Sequence, residues 1–410
     1  MIRMDTAAHG RAATAITRRP ARVLFLNSRS EYGGADMGLL SIVRTLDPQR
    51  FRAVVVLPHE GPLVASLQAA GAEVLFMDIC RLERLSSAGE VWTFARRFFS
   101  SLRRLRRLIA EQQVDLVYTN SSAIPVGALA ARWAGVPNVW HLREIWTSPR
   151  WLTGPLYWYI YAFADRIIAI SRAVAMGNFG RAGKKIVVVH DGIDVARFEN
   201  LDERAAAVRG QLGLTQSWPV VTTVARLVPQ KGLTCFVDAA QRTRRAGTDA
   251  YFCIAGDIPR DLYQEYKDEL IARIAAYGLS DRVFLLGWYG DVPALLAASD
   301  VFVLASIGPE GAGLVIPEAW LAGIPVIVPD HSGPREIVQD GRNGLWFHSS
   351  DADDLCDKIC ALLKDAGWRR DLAVAGKQDA LERHDARRNT ATIETVLDEL
   401  LTRRWVEPYA

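Results

Sequence analysis

Disulfide chemistry is the first thing this chain lacks. Its five cysteines, Cys80, Cys235, Cys253, Cys356 and Cys360, are scattered, odd in number and contain no CxxC pair. That usage points to a reducing compartment. Cys356 and Cys360 share a helix face but have no neighbouring His, so they read as core residues rather than metal ligands. An apolar signal core is missing too: residues 1–19 are rich in Ala, Arg and Thr, which predicts a disordered tail and no signal peptide. Long apolar runs are interrupted. The most apolar stretch, WLTGPLYWYIYAFADRIIAI, is broken by Gly154, Pro155, Asp165 and Arg166, which excludes it as a membrane span. No repeat period and no low-complexity tract beyond the N-terminus is visible. The net charge is only +3, and it indicates no nucleic-acid partner.

What is present is a half-hydrophobic chain of 410 residues, long enough for two or three domains with sizeable cores. Its charge is unevenly placed. Residues 1–190 hold 25 Lys and Arg against 13 Asp and Glu, and the remainder 24 against 33. A basic half joined to an acidic half fits an anionic surface or substrate for the first domain, and equally fits ordinary solvated charge.

Short β-branched runs alternate with stretches of helical spacing throughout. RVLFLN, RAVVVLP, EVLFMD, DLVYTN, NVWHL, DRIIAIS and KIVVVHD are the strands expected in the first half. PVVTTVAR, AYFCIAGD, RVFLLG, DVFVLAS and IPVIVPD are those of the second. Continuous apolar strands alternating with helices predict parallel sheets covered on both faces. Twelve strands are too many for one ordinary open sheet. The polar segment after Asp191 therefore divides two doubly wound α/β domains, over 20–190 and 216–375. A linker at 191–215 joins them, and terminal helices over 376–410 are placed to pack across both.

Ligands of parallel α/β sheets bind outside the carboxyl ends of the strands. Gly33 and Gly34 follow the first strand, and His141 comes toward the end of NVWHL. In the second domain Arg226 ends its first strand, Trp288 follows RVFLL, and Glu310, Gly311, Ala312, Gly313 and Leu314 follow DVFVLAS. In VARLVPQKG, Arg226 and Lys231 stand close enough around a turn to reach one anion, the first with a planar fork and the second as a compact charge. Gly311 and Gly313 permit close backbone approach before a helix start. Carboxylates accept from sugar hydroxyls. Glu318 inside that helix fits the ribose of a nucleotide, and Glu310 before it fits a sugar beyond the phosphates. The plainer alternative makes Glu310 a helix cap and Glu318 a solvated side chain. Asp351 to Asp353 read as an N-cap rather than a metal-binding pair.

EGAGLVIPE, ARLVPQKG, EYGGAD and WHLRE, in this order and spacing, resemble the family-four retaining glycosyltransferases of the GT-B fold. The resemblance covers about residues 21 to 375. It implies two facing Rossmann-like domains and a nucleoside-diphosphate-sugar donor held mainly by the second. It also implies Arg226 and Lys231 on the diphosphate, Glu310 on the transferred sugar and Glu318 on the ribose. Gly34 would lie near the phosphates and His141 near the sugar's C6 hydroxyl. Ala225, Ala312 and Trp320 depart from the usual family residues, changes that bear on pocket shape, and Asp191 replaces the usual Asn of a turn.

The expected activity is metal-independent, retaining transfer of a sugar to an acceptor hydroxyl, with the nucleotide-sugar as co-substrate and no other cofactor. The acceptor is a saccharide or a lipid-linked saccharide. A nucleotide-sugar 2-epimerase and a non-catalytic partner subunit are the alternatives. The stretch VWTFARRFFSSLRRLRRLIAEQ sets an apolar stripe against Arg96, Arg97, Arg103, Arg104, Arg106 and Arg107. It suits an ordinary sheet-covering helix, and it also suits contact with an anionic membrane surface. The expected location is cytoplasmic, with the inner membrane face as the peripheral site.

Overall fold

This computed structural model describes residues 19–82, 88–146, 150–180, 183–214, 217–259 and 262–406. The expected N-terminal tail, except Arg19, lies outside the described residues. The first domain holds seven strands: β1 Ala21–Leu26, β2 Phe51–Leu57, β3 Glu73–Phe76, β4 Leu116–Thr119, β5 Asn138–Leu142, β6 Arg166–Ala169 and β7 Ile186–Val188. They form one parallel sheet in the order β3-β2-β1-β4-β5-β6-β7. The second domain holds β8 Val220–Val224, β9 Tyr251–Ala255, β10 Val283–Gly287, β11 Val301–Val303, β12 Val326–Pro329 and β13 Leu345–Phe347. These too are parallel, in the order β10-β9-β8-β11-β12-β13.

Central strands read as unbroken apolar runs because helices cover both faces. In β1, Val23 and Phe25 pack with the helices Gly34–Thr45 and Ala386–Val406. Leu24 and Leu26 point the other way, toward the helices Ala88–Glu111 and Val126–Ala134. All four side chains are fully buried. The sequence reading missed β13, whose three residues Leu345, Trp346 and Phe347 are too few to show a period. Asp351 accepts from the backbone N–H groups of Asp353 and Asp354 at 2.9 and 3.0 Å, so it caps the next helix as expected. Cys356 and Cys360 on that helix are buried in the core.

The last two helices return along the chain's own path. Ala366–Arg383 packs on Val315–Leu321, where a Cβ at Gly376 would collide with the Trp320 indole. Trp320 is wholly buried and donates through Nε1 to the Asn343 carbonyl at 2.8 Å. Its departure from the family pattern is accommodated at this helix contact. Ala386–Val406 then crosses to the first domain, burying Ile393, Leu397 and Leu401 beside Leu39 and Phe51.

The two domains share one apolar cluster in which Trp140, Leu142 and Ile170 meet Leu304, Ala312 and Ile316. Polar contacts fix the juxtaposition. Ser171 Oγ donates to the Gly311 carbonyl at 2.5 Å. The Glu336 carboxylate accepts from the N–H groups of Arg172 and Ala173 at 3.0 and 2.9 Å, capping a first-domain helix from the second domain.

Candidate active site in the interdomain cleft

In each sheet the strand order reverses at one place, between β1 and β4 in the first and between β8 and β11 in the second. Crevices open at such switch points, beyond the carboxyl ends of the strands. The segments leaving β1, β8 and β11 carry Gly33, Arg226 and Glu310, and His141 is the last residue but one of β5, beside β4. The rims meet across the cleft. Tyr32 after β1 lies parallel to Trp288 after β10, with ring centroids 6.4 Å apart and planes 15° apart. Trp288 is otherwise mostly exposed.

On the second-domain side, Lys231 ends a short 3-10 turn, Pro229–Lys231, and its ammonium reaches Glu310 Oε2 at 2.5 Å. Ser306 Oγ donates to the same oxygen at 2.9 Å. Burial raises the Glu310 pKa, but the Lys231 charge, the hydrogen bonds from Lys231 and Ser306, and Arg226 outweigh it and hold the carboxyl below its ordinary value. Glu310 is thus a fixed carboxylate rather than a helix cap. Arg226 has no carboxylate partner among the described residues, and neither has Arg29 on the opposite rim. Although Arg226 reaches solvent, desolvation against the cleft wall and then the Arg29 charge lower its pKa, while Glu310 and Asp36 act the other way.

Glu318 lies in the helix Val315–Leu321 and is buried, not solvated. Burial raises its pKa, and an ion pair with Arg197 Nη1 at 3.3 Å offsets part of that rise. Leu314 and Glu318 line a small cavity with Ser41, Arg44, Asp194 and Arg197. The glycines between the two glutamates serve packing. A Cβ on Gly311 would collide with the Arg143 carbonyl of the first domain. Gly313 adopts φ +84°, a conformation that favours glycine. Ala312 is buried in the shared apolar cluster. The close backbone approach expected at Gly311 is made here by the Arg143 carbonyl.

On the first-domain side, Gly33 precedes the helix Gly34–Thr45, and a Cβ on Gly34 would meet nothing within 4 Å. Behind that helix start lies a buried polar network. Asn27 Nδ2 donates to Asp36 Oδ1 at 2.8 Å, and Asn120 Nδ2 donates to Asn27 Oδ1 at 2.9 Å. Arg143 Nε donates to Asn120 Oδ1 at 2.9 Å and pairs through Nη1 with Asp191. His141, also buried, has its Nδ1 2.6 Å from the Tyr118 hydroxyl, while its Nε2 has no hydrogen-bond partner among the described residues. Burial, followed by the Arg143 charge, pushes the His141 pKa well below its ordinary value.

The structure brings Glu310, Lys231, Glu318 and Leu314 to the second-domain rim of the cleft with Arg226 and Trp288, and Gly33, Gly34 and His141 to the facing rim. Sequence reasoning missed Arg197, Asp36, Asn27 and Asn120. Arg143 stood inside WHLRE and was passed over; only its fixed place two residues after His141 was there to find it by. Among the described residues no three His, Cys, Asp or Glu side chains gather as metal ligands would.

Comparison with known proteins fits this geometry. Residues 32–197 match the model of Glycosyltransferase Family 4, and residues 206–379 that of Glycosyl transferases group 1. The Escherichia coli UDP-Gal:alpha-D-GlcNAc-diphosphoundecaprenol alpha-1,3-galactosyltransferase is 28% identical over 80% of this chain and 86% of that protein. A GDP-mannose-dependent alpha-(1-6)-phosphatidylinositol monomannoside mannosyltransferase of Mycobacterium tuberculosis is 30% identical over 70% and 80%. The crystal structure of Anabaena HepE in complex with UDP-glucose superposes with a TM-score of 0.79 at 27% identity, covering 92% of this chain and 99% of that one.

Asp36 supplies a test of the buried network. Burial lifts its pKa from 3.8 to about 6, against the lowering effect of Asn27 and the nearby Arg29 and Arg143 charges. The folded state then keeps a proton that the unfolded state loses over that window. This group's contribution is fully present below pH 3.8 and is lost as the pH passes about 6. The Asp36→Asn variant should gain stability relative to the parent across the window, by up to about 3 kcal/mol at the plateau. Denaturant titrations from acid to neutral pH measure it, and a pH-independent difference would contradict the buried-acid assignment.

Proposed function

As the chain belongs to glycosyltransferase family 4 and is a glycosyltransferase, we propose that it moves a sugar from a nucleoside diphosphate to an acceptor hydroxyl with retention and without a metal ion. One observation carries the reading: a lysine-paired carboxylate, Glu310, stands before one short helix at the cleft, and a buried carboxylate, Glu318, stands within it. Glu310, kept ionised, accepts from hydroxyls of the transferred sugar. Glu318 accepts from the ribose, whose donors relieve a carboxylate that burial disfavours. Arg226 and Lys231 face the diphosphate, with Gly33 and Gly34 close to its oxygens. Lys231 has three N–H donors, so it keeps Glu310 while giving another to phosphate. His141 donates to the sugar's C6 hydroxyl, and Trp288, Gly311, Ala312, Gly313 and Leu314 form the wall of the donor pocket.

The acceptor oxygen attacks the anomeric carbon on the face from which the diphosphate departs. The anomeric C–O bond to phosphate breaks, its electron pair goes to the diphosphate, and a phosphate oxygen takes the acceptor hydroxyl's proton. Positive charge already fixed at Arg226 and Lys231 stabilises the departing anion without reorganisation. This step draws on no protein carboxylate as a covalent nucleophile and on no metal ion.

The acceptor is a lipid-linked saccharide, reached from an anionic membrane surface. The two relatives above carry lipid acceptors in their names. Leu102, Leu105 and Ile109 of the helix Ala88–Glu111 are buried, yet Val91, Trp92 and Phe99 are exposed. Arg96, Arg103 and Arg107 of the same helix have no carboxylate partner among the described residues. Of the aromatic cluster after Arg150, Tyr157 is buried and Tyr159 and Tyr161 are half-buried, while Trp151 and Trp158 are largely exposed. Exposed indoles beside arginines suit the headgroup region of an anionic bilayer. Among the described residues no helix is long and apolar enough to cross one.

Arg226→Ala and Lys231→Ala should each raise the barrier to transfer by about 2 to 4 kcal/mol, chiefly in kcat. Unchanged kcat in both variants would remove the diphosphate assignment. Vesicle co-sedimentation checks the surface. Binding should need anionic lipid and weaken with salt, each arginine near the surface adding about 1 kcal/mol. Binding that is absent, or indifferent to lipid charge, would leave a soluble acceptor.

A further inference from the structure

We propose that Arg143 is a positioning residue: its guanidinium occupies the Nδ1 side of His141, keeps the imidazole proton on Nε2, and thereby presents His141 to the ligand as a fixed hydrogen-bond donor. The inference deepens the reading of the cleft as the sugar-transfer site and rests on it.

The geometry is closed on one side of the ring and open in chemistry on the other. Nδ1 faces the Tyr118 hydroxyl at 2.6 Å and Arg143 Nη2 at 3.4 Å. A guanidinium has donors only, so Nδ1 must present its lone pair there, and the neutral ring carries its proton on Nε2. Tyr118, whose hydroxyl has no other partner among the described residues, then donates to the same lone pair. The result is a buried Nε2–H that no group among the described residues receives, a costly arrangement unless a ligand oxygen arrives. Burial and the Arg143 charge both disfavour imidazolium. His141 thus cannot act as a proton acceptor through Nδ1, and its service is to donate.

Arg143 is itself held on every side. Its side chain is only 3% exposed and pairs with Asp191, while Nε donates to Asn120. A Cβ on Gly38 would collide with its Nη1, so the helix Gly34–Thr45 approaches it closely. Its carbonyl lies where a Cβ of Gly311 would stand, in the loop that carries Glu310. One residue therefore sets the tautomer of the first-domain donor and the spacing to the second-domain carboxylate.

Imidazole nitrogen NMR on the full chain, with His141→Ala identifying the resonance, tests the tautomer directly. His141 should show unprotonated Nδ1 and protonated Nε2 from about pH 6 to 8. Arg143→Lys keeps the charge but loses the fork, and should lower kcat about 100-fold while nucleoside diphosphate affinity stays unchanged. Arg143→Met combined with Asp191→Asn removes the buried pair without stranding a charge, and should leave His141 as a mixture of tautomers. A proton on Nδ1 in the parent protein would overturn the proposal. So would the parent tautomer and kcat surviving in both variants. Absence of any sugar transfer by the parent protein would instead strike the functional reading and leave the tautomer assignment standing.

Discussion

Lys231 and Glu310 meet at 2.5 Å in the cleft between two parallel sheets, and much of the site's electrostatics follows from that contact. Alone, either charge would be expensive to hold half-buried. Together they are neutral, so a diphosphate entering the cleft must find further positive charge. Arg226 from one domain and Arg29 from the other are the cations left at the cleft without a carboxylate partner among the described residues. The pair also keeps Glu310 ionised at neutral pH, which suits a carboxylate that accepts from hydroxyls. Glu318 stands in the opposite condition, its pKa raised by burial and only partly restored by Arg197. Two glutamates in one short segment thus stand in opposite electrostatic conditions, as the proposed division between two parts of a ligand requires.

That preparation holds only while the domains keep their distance. Ser171, Glu336 and Arg143 tie the first domain to the loop and helix beside Glu310, and an apolar cluster runs beneath them. The contact is tight enough that Gly311 has no room for a side chain. The C-terminal helix adds a second strap, since the chain finishes the second domain and then buries leucines on the first.

Twelve of the thirteen strands were legible because each is a short apolar run closed by polar or glycine residues, and the sheets followed from their alternation with helices. The rim residues were legible for the same reason: Arg226, Glu310 and His141 stand at strand ends. Partnerships were not. Arg197 meets Glu318 from 121 positions away, and no local pattern predicts that contact. Asp36 looks like an ordinary helix-start carboxylate until the fold buries it against Asn27 and Asn120. Gly311 was legible as a place of close backbone approach, but not that the Arg143 carbonyl makes that approach, and the helix that packs on Trp320 was not legible at all. Local periodicity announces elements, and strand ends announce sites, but the charge state of a side chain depends on neighbours that only tertiary packing brings near.

The central claim is that Glu318 and Glu310 serve the nucleotide and the transferred sugar respectively. Calorimetric titration of a bare nucleoside diphosphate into the parent protein, Glu318→Gln and Glu310→Gln tests it most directly. Glu318→Gln should lose affinity for the bare nucleotide, and Glu310→Gln should bind it nearly as the parent does while failing in sugar transfer. Equal loss of bare-nucleotide affinity in both variants would contradict the division of labour between the two carboxylates.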